Sequence, residues 1–326
     1  MRHAYFALCA VLSFTLILEG REAACTEAWP AQTVKIVTPF PAGSGGDVTA
    51  RPFAERLAKL WGKPVIVENR PGGDGIVAVM TVLNSNDGHT ILYTNGGPLT
   101  SNQLSHAGKL PYDPVHDLLP ISAGAEVYVA LGVPASLPVA SVAEFLKLAG
   151  SRPGELNWSG TPGSLDYLMP GFFRHSRVDL IRVPYRDVTS AMQDLSQSRL
   201  QLYVAAIATQ LPMKHAGLVK ILAITNSERA ASVPDVPTAQ EAGYPVLRYE
   251  AFLGFFAPRS MPGNLREHIS TDIRTVSADD ALRAKFRDMG MKLRVTTPSE
   301  LAQMVADERA ALSRLSAEPG SRQTDR

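Results

Sequence analysis

Three apolar runs of strand length each end in a glycine-rich turn that opens a helical stretch, and this rhythm leaves few folds available to the chain. Residues 34–38 pass through Pro39-Phe40-Pro41 into Gly43-Ser44-Gly45-Gly46-Asp47. Residues 64–69 pass into Arg70-Pro71-Gly72-Gly73-Asp74-Gly75, and residues 90–94 into Asn95-Gly96-Gly97. Strands alternating with helices at this spacing predict α/β units built on parallel pairing. In open α/β sheets ligands collect at the carboxyl ends of the strands, where these turns lie.

Further along, residues 127–133 read as a buried strand, and Ser141-Val142-Ala143-Glu144 as a capping box that opens a helix. Strands are expected at 156–159, 180–184, 200–207 and 219–225, and a long apolar run fills 249–258. Helices are expected over 262–290 and 298–315, with a short strand near 292–295 between them. The helix after the first turn is predicted to start near Thr49, because Pro52 belongs in a first turn. Gly62 is placed to close it in the left-handed conformation. Because 30–126 and 127–249 share one rhythm, the expected fold is α/β with two lobes, each a mostly parallel sheet flanked by helices, joined by crossover strands. The boundaries read as 29–126 plus 250–326 for the first lobe and 127–249 for the second. At 326 residues and 45% hydrophobic, the chain has material for about two cores.

The N-terminus reads as a secretory signal peptide over residues 1–28. Arg2 and His3 precede an apolar run from 4 to 18, short of the roughly 20 residues of a membrane span, and small residues Ala23 and Ala24 follow. An uncleaved anchor and a lipoprotein acylated at Cys25 are the alternatives, the second weakened by Glu22. Cys9 and Cys25 are the only cysteines, so residues 29–326 hold no disulfide, cysteine nucleophile or thiolate metal site. Lys and Arg total 32 against 31 Asp and Glu, a balance that argues against a nucleic-acid binder.

Enzymatic signatures are missing. The sequence has no P-loop, no GxGxxG, no HExxH and no GxSxG, and its seven histidines show no metal-ligand spacing. No catalytic residue, metal or cofactor is expected. What the sequence does offer is sites for an anion. Gly43, Ser44, Gly45 and Gly46 precede a helix N-terminus, whose unpaired N–H groups and dipole favour a carboxylate or phosphate. Asp47 would repel an anion, so it is expected to bind backbone N–H groups and shape the loop. Arg70, Gly72 and Gly73 form either a second backbone nest or a turn in which Arg70 pairs with Glu68. Thr94 and Asn95 offer a hydroxyl and an amide. Ser159, Thr161 and Ser164 offer hydroxyls from the second lobe, beside Tyr185 and Arg186, whose guanidinium suits a carboxylate or, equally, solvent.

At these residues the chain resembles the substrate-binding proteins of tripartite tricarboxylate transporters, the Bug family. The resemblance runs from about 29 to 315. It rests on Trp29-Pro30, Val37-Thr38-Pro39-Phe40-Pro41, Asp47-Val48-Thr49-Ala50-Arg51 and the run from Pro64 to Gly72. It continues through Asp87-Gly88-His89-Thr90, Thr94-Asn95-Gly96, Leu110-Pro111-Tyr112-Asp113-Pro114 and Val183-Pro184-Tyr185. Val233-Pro234-Asp235-Val236-Pro237-Thr238 and Glu241-Ala242-Gly243 complete it. The resemblance implies a periplasmic, monomeric, non-catalytic receptor that closes on a small carboxylate and hands it to transporter membrane subunits. A receptor that presents its ligand to a sensor protein and a secreted α/β enzyme are the alternatives. In the family the first two loops hold one carboxylate, here residues 43–47 and 70–75, and loops of the second lobe complete the cage, here 159–164 and 184–186. Two departures stand out: Asp166-Tyr167 where histidine or serine is common, and no acid in the segment 198–205. The second favours a plain mono- or dicarboxylate over an amino acid.

Overall fold

The protein is described here by a computed structural model covering residues 29–106, 108–185 and 187–316. The expected leader (1–28) and Arg186 lie outside the described residues. In chain order the elements are β1 (Val34–Thr38), α1 (Gly45–Trp61), β2 (Val65–Asn69), α2 (Ile76–Leu83), β3 (Thr90–Asn95), α3 (Asn102–Ser105), β4 (Leu118–Val127) and β5 (Val129–Pro134). There follow α4 (Val142–Ser151), β6 (Asn157–Gly160), α5 (Leu165–His175), β7 (Ile181–Arg182), α6 (Val188–Ser196), β8 (Leu202–Ala206), α7 (Ile207–His215) and β9 (Val219–Ile224). The chain ends with β10 (Ala251–Pro258), α8 (Gly263–Val276), α9 (Asp280–Asp288), β11 (Met291–Leu293) and α10 (Pro298–Ser316).

Two sheets result. One has the order β11-β4-β10-β3-β1-β2 and the other β7-β6-β8-β5-β9. The expected βα units pair in parallel, β1 with β2 and β3, and β6 with β7 and β8. Both sheets are nonetheless mixed. β10 runs antiparallel to β3 and β4, and β5 antiparallel to β8 and β9. The reason is the crossover itself: β4 leads through Tyr128 straight into β5 of the other sheet, and β10 brings the chain back.

Alternation with period two puts neighbours on opposite faces. Ile36 packs with Phe53, Tyr93 and Phe255, whereas Val37 packs with Leu92, Phe252 and Phe256. Each such fully buried side chain contributes about 1.5–3 kcal/mol. The second sheet divides in the same way, with Val204 beside Trp158 and Phe172, and Tyr203 beside Leu195.

Local signals held in places and failed in others. Gly62 closes α1 at φ 64°, and Ser141 Oγ accepts the Glu144 N–H at 3.2 Å. But α1 begins at Gly45, not near Thr49, and Pro52 sits inside it. Pro52 forgoes one backbone hydrogen bond, while Thr49 Oγ1 donates to the Gly45 and Gly46 carbonyls and ties down the first turn. The expected helix over 262–290 is split into α8 and α9. Helices α5 and α7 carry Pro170 and Pro212, which hid them from a propensity reading.

Candidate functional site

The turns at the strand ends of the two sheets face one another across a cavity of about 290 Å³. From the first lobe, Pro39 and Phe40 follow β1, Asp74 and Gly75 precede α2, Asn95 ends β3, and Gly97 and Pro98 follow it. Ser101, Asn102 and Ser105 of the α3 region complete that wall. From the second lobe come Pro162 and Gly163, after β6, and Asp166 and Tyr167, in the first turn of α5. The volume lies at the small end of the range for small-molecule sites.

The first loop is held from within. Asp47 is 1% exposed, and its carboxylate accepts hydrogen bonds from Gly43 N at 2.8 Å, from Arg51 Nη2 and Nε at 2.8 and 2.9 Å, and from Asn69 Nδ2 at 2.8 Å. Burial pushes its pKa up, but the hydrogen bonds from Arg51, Asn69 and Gly43 outweigh it and hold the carboxyl below the usual range. Asp47 therefore shapes the loop, and Gly43 N–H is spent on it. Ser44 N–H is likewise spent, on the Pro41 carbonyl at 3.2 Å, and Ser44 Oγ donates to the same oxygen. Asn69 Nδ2 also donates to the Phe40 carbonyl at 2.9 Å, which fixes Phe40 on the cavity wall. Gly45 packs against Met291, and Gly46 lies under the Phe40 ring.

The second loop turns by four successive residues of positive φ, Gly72, Gly73, Asp74 and Gly75. Asp74, at φ 52°, is the one that is not glycine. Its carbonyl accepts from Asn102 Nδ2 at 2.9 Å, and its carboxylate lies 3.0 Å from His106 Nε2. Arg70 pairs with Glu68 at the surface and is not among the residues that line the cavity.

Of the residues singled out in the sequence, Asn95 reaches the cavity wall. Thr94 is buried beneath it, its Oγ1 without a partner among the described residues. Ser159 is buried within β6. Thr161 N donates to the Val204 carbonyl, and its side chain bonds Tyr203. Ser164 Oγ donates to Glu308, and Ser164 is not among the lining residues. Tyr185 OH donates to Asp194 Oδ2 at 2.7 Å, and burial together with that carboxylate pushes the phenol up to about 12.

Sequence reasoning passed over several lining residues. Asp74 and Gly75 sit in the loop it chose, and Asp166 and Tyr167 are the noted departures, but Ser101, Asn102 and Ser105 belong to a short helix with no motif. Ser101 is 1% exposed, and its Oγ has no partner among the described residues. It stands 3.8 Å from where a Cβ on Gly163, across the cavity, would lie. Burial raises the Asp166 carboxyl, and the charge of Asp74 raises it further, against the Gly163 N–H and Arg182. The first-lobe wall thus presents amide and hydroxyl groups together with the Asp74 carboxyl beside His106, and the second-lobe wall presents the Asp166 carboxyl beside Arg182. Among the described residues no group of three or more His, Cys, Asp or Glu is placed to hold a metal, and no helix is long and apolar enough to cross a membrane.

Residues 49–320 match a family described as the tripartite tricarboxylate transporter family receptor. A protein of R. palustris solved with adipate is 28% identical, with a TM-score of 0.77 over 88% of this chain and 97% of that one. MatC of Rhodopseudomonas palustris, solved with bound malate, is 29% identical, with a TM-score of 0.73 over 88% of this chain and 99% of MatC. The periplasmic binding protein BugD, at 24% identity, shares the two-lobed fold with a TM-score of 0.73 over 90% of this chain and 99% of BugD.

Proposed function

We propose that this chain, which belongs to the tripartite tricarboxylate transporter receptor family, captures a small carboxylate between its lobes and delivers it to the membrane subunits of a transporter. The observation that carries the reading is the cavity at the strand ends, walled by both lobes and floored by backbone turns and the unpartnered Ser101 hydroxyl. Structural relatives solved with malate and adipate favour a linear dicarboxylate. Ligand contacts are assigned to Asn95, Ser101 and the Gly75 and Gly97 turns. Residues 43–47 hold Phe40 in place behind them. Residues 1–28 would direct the chain to the periplasm and be removed. The remainder would act as a monomer without cofactor or turnover, its lobes divided at 126/127 and 249/250. Closure on the ligand would be what the membrane partner reads.

A thermal-shift panel of small carboxylates tests the reading. A bound acid at 100 times its Kd stabilises by about 2.7 kcal/mol. At least one acid should raise the melting temperature in a saturable way. A flat response across malate, adipate and their homologues contradicts the reading.

A further inference from the structure

Helix α10 belongs to both lobes. Leu301 and Val305 pack in the first-lobe core with Phe252 and Phe256, whereas Leu312 packs in the second-lobe core with Phe172. Positions 301, 305, 308 and 312 follow the spacing of one helix face. The third is Glu308, a 6% exposed acid in the middle of an apolar stripe, where the helix passes from one core to the other.

Its carboxylate ties together three separate segments. Oε1 accepts from Ser164 Oγ at 2.5 Å, from Thr100 Oγ1 at 3.1 Å and from Tyr249 OH at 3.4 Å. Ser164 follows the cavity residue Gly163 of the second lobe. Thr100 precedes the cavity residue Ser101 of the first. Tyr249 stands on the return crossover before β10. Oε2 lies against Gly96, where a Cβ would stand 2.1 Å away, and the next residue, Gly97, again lines the cavity. Thr100 Oγ1 also donates to the Gly96 carbonyl at 2.9 Å, which fixes that turn around the acid.

An apolar residue at 308 would continue the stripe but take away the acceptor of the buried Ser164 hydroxyl and leave Thr100 with only the Gly96 carbonyl. We propose that Glu308 is a positioning residue that holds the two cavity walls in register, clamping the turn after β3 to the start of α5 through one carboxylate. Glutamine keeps an oxygen acceptor where Oε1 receives the Ser164 and Thr100 hydroxyls, so an amide of the same shape is a fair substitute. The consequence for ligand capture rests on the receptor reading above, but the clamp itself does not.

Hydrogen exchange on the ligand-free full chain tests it, beside titration with malate and adipate as probe acids. In Glu308→Ala, exchange should rise about tenfold or more in segments 96–105 and 161–170 together, one in each lobe, with β1 and β8 unchanged. Ser164→Ala should do the same in part, and it keeps the test open if the first variant does not fold. Glu308→Gln should restore protection to within about threefold of the parent. Where a probe acid binds, its Kd should weaken with exchange in the same order. Loss of protection spread over the whole chain, or confined to one lobe, overturns the proposal, as does a glutamine variant no better than alanine. If neither acid binds, the receptor reading loses support while exchange still decides the clamp.

Discussion

Phe40 lies across Gly46 so closely that a Cβ on Gly46 would stand 2.0 Å from its ring carbon Cδ2. Gly46 is in ordinary helical conformation, so the requirement for glycine here is space, not backbone freedom. Gly46→Ala is expected to push Phe40 off the cavity wall. It should cost about 1–3 kcal/mol of stability and weaken carboxylate binding by about tenfold. Thermal melts and calorimetric titration of the variant check this. Gly43 gives the contrast: its φ is 80° with open space around it, so a substitution there strains the backbone without a clash.

Asp47 ties the same loop from the other side. Its pKa is lowered on folding, so its stabilising contribution is present above the unfolded carboxylate value of about 4 and is lost as pH falls through the lower folded value. Asp47→Asn should destabilise by about 2–3 kcal/mol at pH 7, since it removes charge-assisted bonds from Arg51. The gap to the parent should narrow in urea melts as pH drops below about 4. A gap that does not change with pH contradicts the assignment.

Asp166 lines the cavity from the second lobe, its carboxylate held by Arg182 and by the Gly163 N–H at 3.1 Å, so it would repel the proposed anionic ligand. Asp166→Asn should tighten malate or adipate binding about threefold to tenfold at pH 7 and release Arg182 as an added cation. Because burial raises this carboxyl, the parent should approach the variant as pH falls toward the ordinary carboxylate range, with the ligand's own titration cancelling in the comparison. Weaker binding in the variant at every pH would mean that Asp166 accepts a hydrogen bond from the ligand.

The first lobe was legible because its signals are local. Apolar runs at 34–38, 64–69 and 90–94 end in glycine turns, and each became a strand whose end approaches the cavity. Asn95 followed from that logic. Ser101 and Asn102 did not, since a four-residue helix has no pattern to read. The roles of Ser164 and Tyr185 depend on where their hydroxyls turn. Ser164 meets Glu308, 144 residues away, and Tyr185 meets Asp194 on the next helix. Only tertiary packing decides such choices. The sharing of α10 between cores is hidden for the same reason, because both halves of its stripe are equally apolar in sequence.

Calorimetric titration of malate and adipate against the parent, Asn95→Ala, Ser101→Ala, Arg70→Ala and Tyr185→Phe tests most directly whether the carboxylate sits between the lobes. The parent should bind at least one acid. The two cavity variants should each lose about 1–3 kcal/mol of binding energy, as expected for an unpaired buried partner. Arg70→Ala and Tyr185→Phe should stay within about threefold, because those groups are engaged with Glu68 and Asp194. Unchanged affinity in both cavity variants, with loss confined to the other two, would contradict the account.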